Sequence, residues 1–102
     1  MQVPESELDR YSGVYDDGYD ILREKNFNNL KNSGIIPKDS KLPPRWDRIT
    51  PWDDLSPEQK KRESRKMELY AAMVENLDGH IGRLLEYLEA KGLLENTLIV
   101  FM

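Results

Sequence analysis

The chain has 102 residues, with 15 Lys and Arg against 19 Asp and Glu, a formal net charge of −4, and no cysteine. This excludes a disulfide scaffold, a cysteine-ligated zinc or iron–sulfur centre and a thiol nucleophile within it. An acidic chain without a basic block is a poor nucleic-acid binder, and no apolar run reaches the ~18 residues of a membrane span. Two tryptophans, five tyrosines and two phenylalanines demand burial, so the composition is not that of a disordered chain.

Met1 to Asp16 is polar and irregular, with room for one helical turn over Glu5 to Arg10. Met1-Gln2-Val3-Pro4-Glu5 has no basic n-region and no apolar h-region, so no signal peptide is expected. The lack of cysteine fits a periplasmic, secreted or cytoplasmic protein equally well.

A first helix is expected over residues 17–33. Tyr19, Leu22, Phe27 and Leu30 form its apolar stripe with Ile21 at the edge, acidic residues precede it and Gly34 follows it. Asparagines at 26, 28, 29 and 32 weaken it. Residues 35–55 show neither helical nor strand periodicity and contain Pro37, Pro43, Pro44 and Pro51. Trp46 and Trp52 are large enough to pin this stretch onto a surface, so the expectation is an ordered, extended loop.

The sequence then predicts a long helix over residues 57–91. Ser56-Pro57-Glu58-Gln59 supplies an N-cap serine, proline at the first helical position and the glutamine of a capping box. Met67, Tyr70, Met73, Val74, Leu77, Ile81, Leu84, Leu85 and Leu88 follow at helical spacing, and Lys91-Gly92 closes the helix. Such a helix is roughly 50 Å long at 1.5 Å per residue. A bend near Gly79 or Gly82, a close-packing role for both glycines, and a buried face of Tyr70, Met73, Leu77, Ile81, Leu84, Leu85 and Leu88 are expected. Residues 97–102, Thr97-Leu98-Ile99-Val100-Phe101-Met102, read as a strand buried on both faces, as in a parallel sheet covered by helices. One strand makes no sheet, so the pattern is that of an internal piece of a larger α/β protein.

The chemistry-bearing residues have bland readings. His80 is the lone histidine, on the surface of the long helix. Asp16, Asp17 and Asp20 cluster at the start of the first helix, where the macrodipole accounts for them, and their spacing does not suit a helix–loop–helix calcium loop. Asp53 and Asp54 read as turn residues before the Ser56 cap. Glu58, Lys60, Lys61, Arg62, Glu63, Arg65, Lys66 and Glu68 read as a solvated helix face, and Met67 and Met73 as core. No glycine-rich phosphate loop, Ser/His/Asp set or metal-spaced cluster is present.

Several stretches together resemble the sulfatase family. Met67-Glu68-Leu69-Tyr70-Ala71-Ala72-Met73-Val74, with Asp78 and Ile81-Gly82-Arg83-Leu84, then Asn96-Thr97-Leu98-Ile99-Val100-Phe101, matches the pattern M-E-x-Y-A-A-M-V-x-x-x-D-x-x-I-G-R-L followed by N-T-L-I-V-F. Tyr11-Ser12-Gly13-Val14-Tyr15-Asp16-Asp17-Gly18-Tyr19-Asp20-Ile21-Leu22-Arg23-Glu24 resembles the Y-x-G-x-Y-D-x-G-W-D-x-L-R-E stretch of bacterial arylsulfatases. Gly34-Ile35-Ile36-Pro37, Leu42-Pro43-Pro44-Arg45 and Trp52 fit the same subgroup, and the resemblance runs from about Tyr11 to Met102.

The resemblance implies a doubly wound α/β fold of the alkaline-phosphatase type and hydrolysis of sulfate esters with a calcium ion and a formylglycine. The motif C/S-x-P-x-R that is modified to formylglycine is absent here, and the family's Asp-Asn-Gly metal ligands would follow Met102. The resemblance therefore assigns no catalytic, cofactor-binding or metal residue to this chain. The expectation is a segment of an arylsulfatase-like enzyme, inert alone, whose partners are the remainder of the sulfatase chain and, for the parent, a sulfate ester. A self-standing helical interaction module is the alternative from another class. A hydrolase or transferase of the same fold acting on phosphate or phosphonate esters is a third reading.

Overall fold

A computed structural model describes residues 3–102. It contains two α-helices, α1 over Gly18–Asn32 and α2 over Pro57–Ala90, and short 3-10 turns at Glu5–Glu7, Trp52–Asp54 and Leu94–Asn96. The start of α2 is locally encoded. The Ser56 hydroxyl accepts from the Gln59 N–H, and the Gln59 side chain accepts from the Ser56 N–H, which satisfies two donors that the first turn otherwise leaves free. Its end is a glycine termination: Gly92 has φ +67°, and Leu93 N–H reaches back to the Leu88 carbonyl.

With 34 residues α2 is about 51 Å long, nearly the full 54 Å of the longest molecular dimension. It runs unbroken through Gly79 and Gly82. Open space lies beside both glycines, so neither has the expected close-packing role among the described residues.

The buried centre lies where the start of α1, the Trp52 turn and the first half of α2 meet. Trp52 is 8% exposed and sits on Gly18, and Tyr19 meets its ring edge-on at 5.2 Å and 81°. Trp46, expected to pin the same loop, is instead 64% exposed with Arg48 stacked over its ring.

Two expectations are corrected. Among the described residues there is no strand: Thr97 to Met102 has no regular structure and is uncovered, with Leu98 89% and Phe101 82% exposed. A strand exists only through a neighbouring strand, and no described residue offers one. Nor is the apolar stripe the buried face of α2. Tyr70, Leu77 and Leu84 are exposed and Met73, Ile81, Leu85 and Leu88 half-buried, whereas Ser64, Glu68 and Ala72 are buried. These three lie four residues apart on one row, and what covers them is the polar N-terminal arm.

Candidate functional site

The arm, residues 5–16, runs antiparallel to α2 and is fastened by side chains. Glu7 Oε1 accepts from Asn76 Nδ2 at 3.1 Å, Arg10 pairs with Glu75 at 2.8 Å, Gly13 N–H donates to Glu68 Oε1 at 2.8 Å, and Ser64 Oγ donates to Asp16 Oδ1 at 2.6 Å. The other Glu68 oxygen takes Arg65 at 2.8 Å, and Arg65 also reaches Asp9 at 3.2 Å. Burying a carboxylate is costly unless its oxygens are satisfied, and both oxygens of Glu68 are. At the far end of the arm, the second oxygens of Glu7 and Glu75 are buried with no partner among the described residues. The Glu75 carboxylate beside Tyr11 pushes that phenol above its ordinary value.

A second node ties the proline-rich loop to α1. Asp20 Oδ2 accepts from the Trp52 N–H at 2.9 Å and from Arg45 Nη1 at 2.6 Å. The Trp52 N–H is the larger cause, with Arg45 adding to it, and together they outweigh burial and hold the Asp20 carboxyl below its ordinary value. Arg23 donates to the Pro43 carbonyl, and the Tyr19 hydroxyl donates to that of Thr50. One α1 face thus gathers three points of the loop at positions 43, 45 and 50–52.

These contacts place the residues singled out in the sequence. Asp16 and Asp20 accept long-range hydrogen bonds, Asp17 makes no side-chain cap, and Asp53 and Asp54 form the turn leading to Ser56. His80 is exposed and its ring meets the Arg83 guanidinium one turn on. The charge run on α2 is not wholly solvated: Lys66 and Arg62 pair with Glu63 on the outside, while Glu68 is 6% exposed beneath the arm. The sequence pattern could not mark Glu68 as buried, because its partner Gly13 lies 55 residues away.

No group of three or more metal-ligating side chains converges among the described residues. The best-placed carboxylates, Asp16, Asp20 and Glu68, already accept from Ser64, from Trp52 and Arg45, and from Gly13 and Arg65. This donor set does not fit the six to eight oxygens that calcium takes. What the arrangement does physically is hold an arm and a loop in register on two helices. No helix of the described residues is long and apolar enough to cross a membrane.

The sequence profile of the sulfatase family matches residues 4–102. An uncharacterized sulfatase of Schizosaccharomyces pombe is 40% identical over 104 aligned residues, which cover all of this chain and 19% of that protein. An arylsulfatase of Klebsiella aerogenes is 38% identical over 102 residues, covering all of this chain and 22% of that protein. The chain spans about a fifth of the length of these curated relatives.

Proposed function

This chain belongs to the sulfatase family, and on that premise we propose that it is a scaffold segment of a sulfuric ester hydrolase. Membership implies an alkaline-phosphatase-like fold for the whole protein. The observation that carries the proposal is the match across residues 4–102 to sulfatases, one of them an arylsulfatase. The substrate class in this reading is an aryl sulfate ester. The nucleophile, its formylglycine modification and the calcium ion belong to the rest of the longer protein, and no residue of this segment is a catalytic residue. Two features support that division: Asp16, Asp20 and Glu68 are occupied by structural hydrogen bonds, and among the described residues no three His, Asp or Glu side chains converge as metal ligands would.

In the longer protein, Thr97 to Met102 joins the edge of a sheet and the exposed α2 stripe lies under it. The support is chemical: Thr97 already has extended dihedrals, φ −113° and ψ 122°, and the next residues are β-favouring and uncovered.

A segment exchange tests the proposal. The 102 residues replace their aligned counterpart in the Klebsiella aerogenes arylsulfatase, and turnover of a chromogenic aryl sulfate is measured beside the isolated chain. The exchanged enzyme is expected to keep activity within about tenfold of the parent, and the isolated chain to show none above buffer. Turnover by the isolated chain, abolished by chelation, would overturn the assignment of no catalytic residue. A soluble, folded but dead hybrid would overturn the scaffold role.

A further inference from the structure

The arm lies on α2 without sharing its backbone bonding. Among the described residues no backbone–backbone hydrogen bond joins the two. The arm's own backbone bonds close tight turns within it, such as Arg10 N–H to Glu7 and Ser12 N–H to Asp9. No residue from 5 to 16 is buried, so apolar burial contributes little to its attachment. What remains is the set of side-chain ties named above, and in each of them the acceptor is a carboxylate oxygen.

These ties are unequal. Arg10–Glu75 and Arg65–Asp9 are open to solvent, with 52% and 40%, and 38% and 86%, of the paired side chains exposed. Exposed pairs are weak, and salt screens them: the Debye length falls from about 30 Å at 0.01 M to about 3 Å at 1 M. Glu68 differs. It is 6% exposed, and its two oxygens hold Gly13 N–H and Arg65, so salt reaches this tie far less. Just beyond the arm the chain is pinned, because the Trp52 ring rests on Gly18.

We propose that residues 5–16 are a strap that lifts from α2 as a unit while both helices and the Trp52 node stay folded, with Glu68 as its fastening point. A segment with few buried contacts and no shared backbone bonds is the kind that opens locally, below the cost of global unfolding. Lifting it uncovers the row Ser64–Glu68–Ala72. It also removes one wall, Ser12, Gly13 and Asp16, of the cavity of about 660 Å³ between the arm and the first turns of α2. Salt loosens the strap, and Glu68 sets how far it stands open at rest. The inference stands on the contacts of the arm, independently of the sulfatase reading.

Ala72 lies beneath the middle of the arm, 1% exposed, and the chain has no cysteine, so Ala72→Cys places a single thiol there. Its labelling by an uncharged maleimide is followed at pH 7 and low micromolar protein, in about 0.01 M and about 1 M sodium chloride. In the unsubstituted chain, NMR compares exchange of the Gly13 amide, bonded to Glu68, with that of the Trp52 amide, bonded to Asp20. The thiol is expected to label more slowly than in the urea-unfolded chain, and about fivefold faster at the higher salt than at the lower. Glu68→Gln keeps an acceptor for Gly13 but turns an amide toward Arg65, and is expected to speed labelling by about tenfold or more. Gly13 exchange rises in parallel, while Trp52 exchange and the circular dichroism at 222 nm stay unchanged. Lys66→Ala, which breaks the pair with Glu63 away from the arm, alters neither labelling nor exchange. Gly13 and Trp52 exchange rising together, with loss of helical signal, would show arm and helices opening as one and overturn the proposal. So would labelling at the unfolded rate in both salts, or a rate indifferent to salt or to Glu68→Gln.

Discussion

At Gly18 the backbone sits at φ +86°, and a Cβ would fall among the ring carbons of Trp52. Gly34 has a similar φ of +71° but open space around it. The pair separates two costs. Gly34→Ala pays for a strained backbone alone, about 1–3 kcal/mol, whereas Gly18→Ala must also displace the ring that fills the buried centre. Urea midpoints followed by Trp emission are expected to fall for both, and further for Gly18→Ala; equal losses would mean that Trp52 does not rest on Gly18. Asp20 acts on the same ring from the other side. Its carboxyl lies below its ordinary 3.8 because the Trp52 N–H and Arg45 bond the charged form. A depressed folded value contributes stability above pH ~4, lost as pH falls through the folded value. Trp52 is therefore expected to become more exposed to quencher between neutral pH and pH 3, and Asp20→Asn to flatten that dependence by weakening the node already at neutral pH. A wild-type pH profile retained in Asp20→Asn would assign the transition to other carboxyls, Glu58 and Glu63 being the ones also held low.

Among the elements, α2 shows what local chemistry can and cannot announce. Its first turn is legible because Ser56, Pro57 and Gln59 satisfy one another within four residues. Its last turn is legible because Gly92 takes the positive φ that ends it. The buried row Ser64–Glu68–Ala72 is not legible, since a serine and a glutamate become interior only through Asp16 and Gly13, 48 and 55 residues away. Periodicity pointed instead to the apolar stripe, which carries no information about which partner covers it. The two tryptophans make the same point, alike in sequence and opposite in burial because only Trp52 has a glycine to sit on. The cap gives the element its own prediction. Ser56→Ala removes the acceptor for Gln59 N–H and is expected to cost about 1 kcal/mol. Gly82→Ala, with open space beside it, is expected to return a similar ~1 kcal/mol through helix propensity. Thermal melts at 222 nm check both, and a neutral Ser56→Ala would mean that the capping box contributes nothing to the helix.

For the molecule as a whole, the buried apolar side chains are few and the exposed ones many. Trp52 and Ala72 are the buried apolar residues among those described, while Tyr70, Leu77, Leu84 and Tyr87 are each more than half exposed on α2. Leu98 to Met102 adds a second uncovered apolar stretch. Contiguous apolar surface of this kind marks an interface. In the sulfatase reading it is an internal interface, covered by chain that the relatives possess in the other four-fifths or so of their length. The isolated 102 residues should then be helical yet unsaturated: they should bind a hydrophobic dye and associate as concentration rises through tens of micromolar. Replacing Leu98 and Phe101 by lysine puts charge on the uncovered stretch and is expected to lower dye binding and shift association to higher concentration, with circular dichroism unchanged. Sedimentation velocity with parallel dye titration reads both effects. An independent helical module would behave otherwise, as a monomer at all these concentrations with no dye binding. That result would detach the apolar face from any larger sheet and leave it as a docking surface for a separate partner.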